Sequence, residues 1–111
     1  MVSKETEQKI AQLQLYEQSL QNFLAQKQQF QMQVIEIDSA LAQLESSKDS
    51  YKIIANVMVS VDKAELITEL KEKKEKIELR IKTLEKQENN IKEKAKNTRE
   101  DVMEKMKNDK Q

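Results

Sequence analysis

Apolar residues recur with a seven-residue period along the first 46 residues of the chain. Two series carry this heptad, offset by three residues, and nine of their ten positions are apolar. A heptad kept for about five repeats is typical of a coiled coil, and it predicts a helix over residues 4–46. The two series are Leu13, Leu20, Lys27, Val34 and Leu41, and Tyr16, Phe23, Phe30, Ile37 and Leu44.

A second coiled-coil seam follows in the C-terminal half and predicts a helix over residues 63–107. Asp62 followed by Glu65 resembles a capping box, which places the start of this helix. The pattern is strong as far as Ile91 and weakens after it. Its positions are Ile67, Leu70, Lys74, Ile77, Ile81, Leu84, Glu88, Ile91, Ala95, Thr98 and Val102.

Residues 47–62 break the helical pattern and predict a short β-hairpin. Residues 51–54 and 57–61 are rich in β-branched side chains, and the second of these runs alternates with period two. The strands would join near Ala55-Asn56. Asn56 tolerates a positive φ angle, whereas Ala55 is a poor residue for such a turn.

The predicted fold is mainly α: an antiparallel two-helix coiled-coil hairpin with one β-hairpin between the helices, in a single unit over residues 1–111. An isolated two-stranded hairpin is marginally stable in water, and both of its edges would be unpaired. We therefore expect assembly with other chains through the hairpin; in the alternative, it folds back to cap a monomer. The predicted assembly residues are Tyr51, Ile53, Ile54, Val57, Val59 and Val61.

Composition argues against catalysis. The chain has no Gly, Pro, Cys, Trp or His, while charged residues make up 36% and aromatic residues 4%. Without His or Cys the usual zinc sites, thiol nucleophiles and histidine triads cannot be built, and without Gly no phosphate-binding loop is available. We expect neither an enzyme nor a cofactor or metal site.

Charge and hydropathy bear on partners and location. Up to Asp49 there are four lysines against seven acids, and after it sixteen basic residues against thirteen acids. This mild imbalance lacks the basic stripe of a nucleic-acid binder. Apolar runs are too short for a membrane span, and no signal-peptide core follows Met1. We expect no nucleic-acid or membrane partner and a cytoplasmic location.

Two segments carry a family resemblance. Residues 51–59 open with Tyr51-Lys52, and residues 79–88 read Leu-Arg-Ile-Lys-Thr-Leu-Glu-Lys-Gln-Glu. With the glutamine-rich first helix, they resemble the β-class subunits of prefoldin, of the archaeal type. Only one hairpin fits between the helices, whereas α-class subunits carry two. Ala55 departs from the family, which usually has Gly there.

The resemblance implies a function. Such subunits form hexamers of two α-class and four β-class chains whose hairpins join into β-barrels. Their coiled coils hold unfolded proteins at the tips, without nucleotide, and pass them to a group II chaperonin. A structural scaffold or tether without chaperone activity is the main alternative, and a nucleic-acid-associated coiled coil is a second.

The tips lie where both chain ends meet, and their apolar residues are the candidate binding residues. Leu13, Tyr16 and Val102 also fit a simpler role in the last turns of the coiled coil. The others lie off the seam, where the sequence favours a binding role and isolated surface hydrophobic residues equally. The predicted residues are Ile10, Leu13, Leu15, Tyr16, Val102, Met103 and Met106, with Val2 beside them.

Three charged residues interrupt the seams. Lys27 and Glu88 would lie at a similar height, and could pair, if the turn falls slightly after Asn56; polarity tolerated near solvent is the simpler interpretation. For Lys74 the sequence indicates no partner, and we expect its side chain to extend outward to water.

Overall fold

The computed structural model describes residues 3–109, which form two long helices and one β-hairpin. Helix α1 spans Lys4–Ser46, strands β1 and β2 span Ser50–Ile54 and Val57–Val61, and helix α2 spans Lys63–Asp109. The predicted fold class is confirmed. Val2, named among the tip residues, lies outside the described residues.

Both helices begin at a side-chain cap. The backbone N–H of Thr6 donates to Ser3 Oγ at 3.2 Å, and that of Glu65 donates to Asp62 Oδ2 at 3.3 Å. Each bond satisfies one of the N–H groups that a helix leaves unpaired in its first turn. The predicted cap at Asp62 is therefore confirmed.

Residues 28–82 form one compact unit that contains the hairpin. Its helical segments pack through the predicted seams, with Ile37 and Ile77 buried. At the edge of this contact Lys74 Nζ lies 2.7 Å from Asp38 Oδ1. The expectation that Lys74 lacks a partner was wrong, because the pairing of the helices places Asp38, which follows the seam residue Ile37, beside it.

A second compact unit contains the residues up to Lys27 and those from Thr83 onward. Glu5 pairs with Lys105, and Lys9 Nζ lies 3.2 Å from Asp101 Oδ2, so the two segments run antiparallel. The core here includes residues that no apolar pattern reveals, among them Thr6, which is fully buried. Among the described residues of this unit, the other buried side chains are those of Leu84, Glu88, Ala95 and Val102.

The β-hairpin has a two-residue turn at Ala55-Asn56, as predicted. Its antiparallel register pairs Ser50 with Val61 and Ile54 with Val57. Both turn residues have positive φ angles, 46° for Ala55 and 67° for Asn56. This conformation matches the twist of the strands, so strand pairing holds Ala55 in a conformation that an alanine disfavours.

Within residues 3–109, neither helix is both long and apolar enough to cross a membrane.

Candidate assembly and binding surfaces

The hairpin exposes most of its apolar side chains. Ile53 is 69% exposed, and Tyr51, Ile54 and Val57 are each more than half exposed. Val59 is 38% exposed and Val61 is half-buried. The hairpin therefore does not cap the coiled coil, and its apolar surface faces outward.

Met58 belongs to the same surface and was not among the predicted assembly residues. It pairs across the strands with Ile53 and is 66% exposed. Alternation along β2 places Met58 on the face opposite to Val57 and Val59. Pairing of the two strands about the Ala55-Asn56 turn could have identified it, because residues paired directly across two strands lie on the same face, here Met58 with Ile53.

The outer edges of both strands lack a partner strand within residues 3–109. The sheet consists of β1 and β2 alone, so each strand has one neighbour. Unpaired N–H and C=O groups along an edge can bond a further strand. Exposed apolar side chains on both faces and two open edges are thus combined in one hairpin.

One polar contact closes the base of the hairpin, and another ties the hairpin to α2. The buried Ser50 donates from Oγ to the carbonyl oxygen of Val61 at 2.8 Å. Lys52 in β1 forms an ion pair with Glu69 in α2, with Nζ and Oε1 2.5 Å apart. These contacts fix how the hairpin is presented.

A lysine connects the helix ends next to the hairpin. Lys63 Nζ donates to the carbonyl oxygens of Glu45 at 3.3 Å and Ser47 at 3.0 Å. The last turn of α1 contains no basic residue of its own. Lys63 therefore supplies the positive charge that a helix C-terminus favours.

An open cleft of about 400 Å³ lies where α1 ends and β1 begins. Apolar side chains from both helices form part of its lining, and the ring of Tyr51 lines it from the hairpin. The remaining lining is polar. The lining residues are Ala40, Gln43, Leu44, Ser47, Asp49, Ser50, Tyr51, Leu66 and Leu70.

The predicted tip residues fall into two groups by exposure. Val102 is buried at 6% exposed, and Ile10, Leu13 and Tyr16 are half-buried. Leu15 and Met103 are 62% and 66% exposed, and Met106 is 39% exposed. Leu15, Met103 and Met106 alone of the seven present a large apolar surface.

Ion pairs surround this end of the unit. The Lys105 ammonium, which donates to Glu5, holds the pKa of Glu5 below its ordinary value, and the same contact raises the pKa of Lys105. These charges tie the start of α1 to the end of α2 beside Met103 and Met106. This end of the unit therefore carries both exposed apolar side chains and paired charges.

The hairpin and the residues near the chain ends offer exposed apolar surfaces. Within the described part of the chain, no group of three or more Asp or Glu side chains could hold a metal ion.

Comparison with known proteins agrees with this architecture. The prefoldin subunit family model matches residues 7–109. Prefoldin subunit beta of Thermococcus onnurineus is 39% identical over 90 residues, which cover 78% of each chain. That of Archaeoglobus fulgidus is 37% identical over 94 residues, covering 82% of this chain and 81% of the relative.

A solved structure is similar along nearly the whole chain. The crystal structure of the prefoldin beta subunit from Thermococcus strain KS-1 superposes with a TM-score of 0.87 at 32% identity, and the match covers 94% of each chain. The chain belongs to the prefoldin family of chaperone subunits.

Proposed function

We propose that the chain is a β-class subunit of a cytoplasmic, ATP-independent holding chaperone. In this proposal residues 1–111 work as a single prefoldin-like unit, which assembles with α-class subunits and further copies of itself, two α and four β in all. The complex holds unfolded polypeptides and passes them to a group II chaperonin.

The exposed hairpin is the observation that carries the assembly part of this proposal. Four of its apolar side chains, those of Ile53, Ile54, Val57 and Met58, are each more than half exposed. Apolar surface of this kind, next to open strand edges, favours association with other strands. Association with neighbouring strands would both bury the apolar side chains of the hairpin and pair its open edges.

Exposed side chains near the chain ends support binding of unfolded polypeptides. Met103 and Met106 have flexible, polarizable side chains that adapt to many partners, and Leu15 adds a third exposed apolar residue. The buried Val102 and the half-buried Ile10, Leu13 and Tyr16 contribute only if the helix ends separate. Ala95 and Thr98, which are small or polar seam residues, bury less apolar surface than the larger seam residues and so stabilise this end of the coiled coil less.

Contacts from several subunits would act together. Each exposed residue binds an unfolded chain weakly, but linked sites raise the effective concentration of the next contact. Assembly through the hairpins and binding at the chain ends are therefore parts of one mechanism.

Suppression of aggregation tests the proposal. The complex formed with an α-class subunit is mixed, without nucleotide, with a chemically denatured protein, and light scattering is followed. We expect suppression by the wild-type complex and a several-fold loss with the triple variant Leu15→Glu, Met103→Glu, Met106→Glu. Ile35→Glu is the control, because Ile35 is 65% exposed but lies in the other unit.

Two results would decide against the proposal. An intact wild-type complex without suppression would favour a structural scaffold. Full suppression by a correctly assembled triple variant would show that these three residues do not contribute to the binding surface.

A further inference from the structure

The seam of the coiled coil continues to the chain ends, but several of its positions there are polar. Thr6 and Lys9 stand seven residues before the seam residues Leu13 and Tyr16. In α2, Lys105 continues the seam three residues after its last predicted position. Thr6 is fully buried and both lysines are half-buried, so all three residues belong to the contact between the helices.

Each of these seam lysines is held by an acid of the other helix. Lys9 Nζ donates to Asp101 Oδ2 at 3.2 Å, and Lys105 pairs with Glu5. The side chains of Lys9 and Lys105 are 26% and 31% exposed, against 56% and 68% for Asp101 and Glu5. The lysine stems therefore lie partly within the helix contact, while their ammonium groups reach acids at its rim.

The four residues form a closed group of alternating charge. Glu5 and Lys9 are four residues apart in α1, and Asp101 and Lys105 are four residues apart in α2, so each charge also has an opposite charge on its own helix. The Lys105 ammonium and, to a smaller extent, that of Lys9 hold the pKa of Glu5 below its ordinary value. Isolated surface ion pairs stabilise a protein little, whereas several charges in one network stabilise it more.

Few buried apolar side chains hold this end closed. Among the described residues of α1 up to Lys27, only Thr6 is buried, and after Ile91 the described part of α2 buries only Ala95 and Val102. Val102 is the one large apolar side chain among these three. Because so little apolar surface is fully buried, closure depends strongly on the attraction between the charges, which salt screens.

We propose that these four charges form an ionic clasp that controls how often this end of the coiled coil opens. Opening uncovers four apolar side chains that the closed helices cover wholly or in part. They are Ile10, Leu13, Tyr16 and Val102. The clasp thus regulates a second apolar surface, beside the one that is always exposed. A role for this second surface in binding unfolded polypeptides rests on the proposed function.

A buried thiol reports the opening directly, because the natural sequence contains no cysteine. Val102→Cys places the reporter in the seam, where the side chain of Val102 is 6% exposed. The rate of maleimide labelling is measured in the full-length chain with the clasp intact and with both acids removed by Glu5→Gln and Asp101→Asn. We expect labelling to be roughly threefold faster without the acids. Salt at about 0.5 M should speed labelling of the intact clasp toward the same rate.

The double variant Glu7→Gln, Glu100→Gln is the matched control. It removes the same number of negative charges from exposed positions of the same two helix segments, outside the clasp. Position 102 should label in this control as it does with the clasp intact. A reporter at the buried position 77 of the other unit, Ile77→Cys, should label equally in all backgrounds. Equal labelling of position 102 in the clasp and control variants, or no response to salt, would overturn the clasp and leave the proposed function standing.

Suppression of aggregation connects the clasp to binding. The clasp variant and the control variant, both without reporter cysteines, are assembled with an α-class subunit and mixed with a chemically denatured protein. We expect the clasp variant to reach half-suppression at a severalfold lower concentration. Equal suppression despite faster labelling would overturn the link between opening and binding. No suppression by the wild-type complex or either variant would overturn the proposed function and leave the clasp itself intact.

Discussion

Lys27 of α1 donates a hydrogen bond from Nζ to Glu88 Oε1 of α2, at 3.0 Å, and each residue occupies a seam position of its helix. The two side chains are only 16% and 11% exposed. Lys92 Nζ lies 3.7 Å from the same carboxylate oxygen. The pair forms although the turn lies at Ala55-Asn56 and not after it. Because both side chains are shielded from water, the simpler interpretation, polarity tolerated near solvent, was wrong. A shielded pair of this kind penalises a shifted helix register, because a shift leaves both charges unpaired.

Removing one member of this pair should destabilise the chain. Lys27→Met leaves the Glu88 carboxylate poorly solvated and without its main donor, so we expect a loss of about 1–3 kcal/mol in the free energy of unfolding. Urea denaturation followed by circular dichroism measures it. Lys86→Met, at an exposed position in α2, is the control and should change little.

Replacing both members should recover the loss. The double variant Lys27→Leu, Glu88→Leu restores a continuous apolar seam, and paired charges replaced by packed apolar groups are often neutral or stabilising. A double variant as unstable as Lys27→Met would show that the destabilisation does not arise from an unpaired charge.

Stability should fall in acid because of Glu88. The hydrogen bond from Lys27 lowers the pKa of Glu88 below its ordinary value of 4.5. A group with a lower pKa in the folded chain stabilises it above the unfolded-state pKa, and this contribution is lost as pH falls through the folded-state pKa. Glu88→Gln should therefore be less stable than wild type at pH 7 and show a shallower loss of stability below pH 4.5. Urea denaturation at a series of pH values measures the free energy of unfolding of both proteins. An equally steep fall below pH 4.5 in Glu88→Gln and in the wild type would contradict this.

The two helices and their pairing were predictable because heptad periodicity depends only on the order of apolar residues. Every position of both predicted seams is half-buried or buried. Thr6 was missed since its side chain is polar, although it lies seven residues before Leu13 in the same series. The partner of Lys74 was missed for another reason: the alignment of Asp38 beside it depends on the connection between the helices.

Ala55→Gly should stabilise the hairpin. Ala55 has a φ of 46°, a conformation that costs an alanine about 1 kcal/mol and a glycine almost nothing. Amide hydrogen exchange in β1 and β2 should slow about fivefold, which corresponds to that free energy. Ala42 lies inside helix α1, so Ala42→Gly should instead lower the free energy of unfolding by about 1 kcal/mol. Unchanged or faster hairpin exchange in Ala55→Gly would show that the turn carries no such strain.

Lys63→Met should loosen the end of α1. The variant loses the ammonium that bonds the carbonyl oxygens of Glu45 and Ser47, and with it a favourable interaction with the helix dipole of about 0.3–1 kcal/mol. We expect faster amide exchange in the last turn of α1, while the first turn of α1 exchanges as in the wild type. If the last turn of α1 also exchanged at the wild-type rate in the variant, Lys63 would not stabilise the helix terminus.

The exposed surface of the hairpin could be predicted only in part from the sequence. β-Branched residues and alternation identified the strands, so five of the six predicted assembly residues could be placed on an exposed hairpin. The cleft could not be predicted, because it is formed by residues far apart in sequence, such as Ala40 and Leu66. Its existence depends on how the base of β1 sits against the two helix ends.

The mass of the native particle tests most directly whether the hairpin recruits other chains. Mixed with an α-class prefoldin subunit, the wild-type chain should give one hexameric particle by native mass spectrometry. Ile53→Glu with Val57→Lys should keep its helical circular dichroism but remain outside that particle, while the exposed control Leu24→Glu with Ile35→Lys assembles normally. A wild-type chain that stays a lone molecule, or a hairpin variant that assembles as well as the control, would contradict the account.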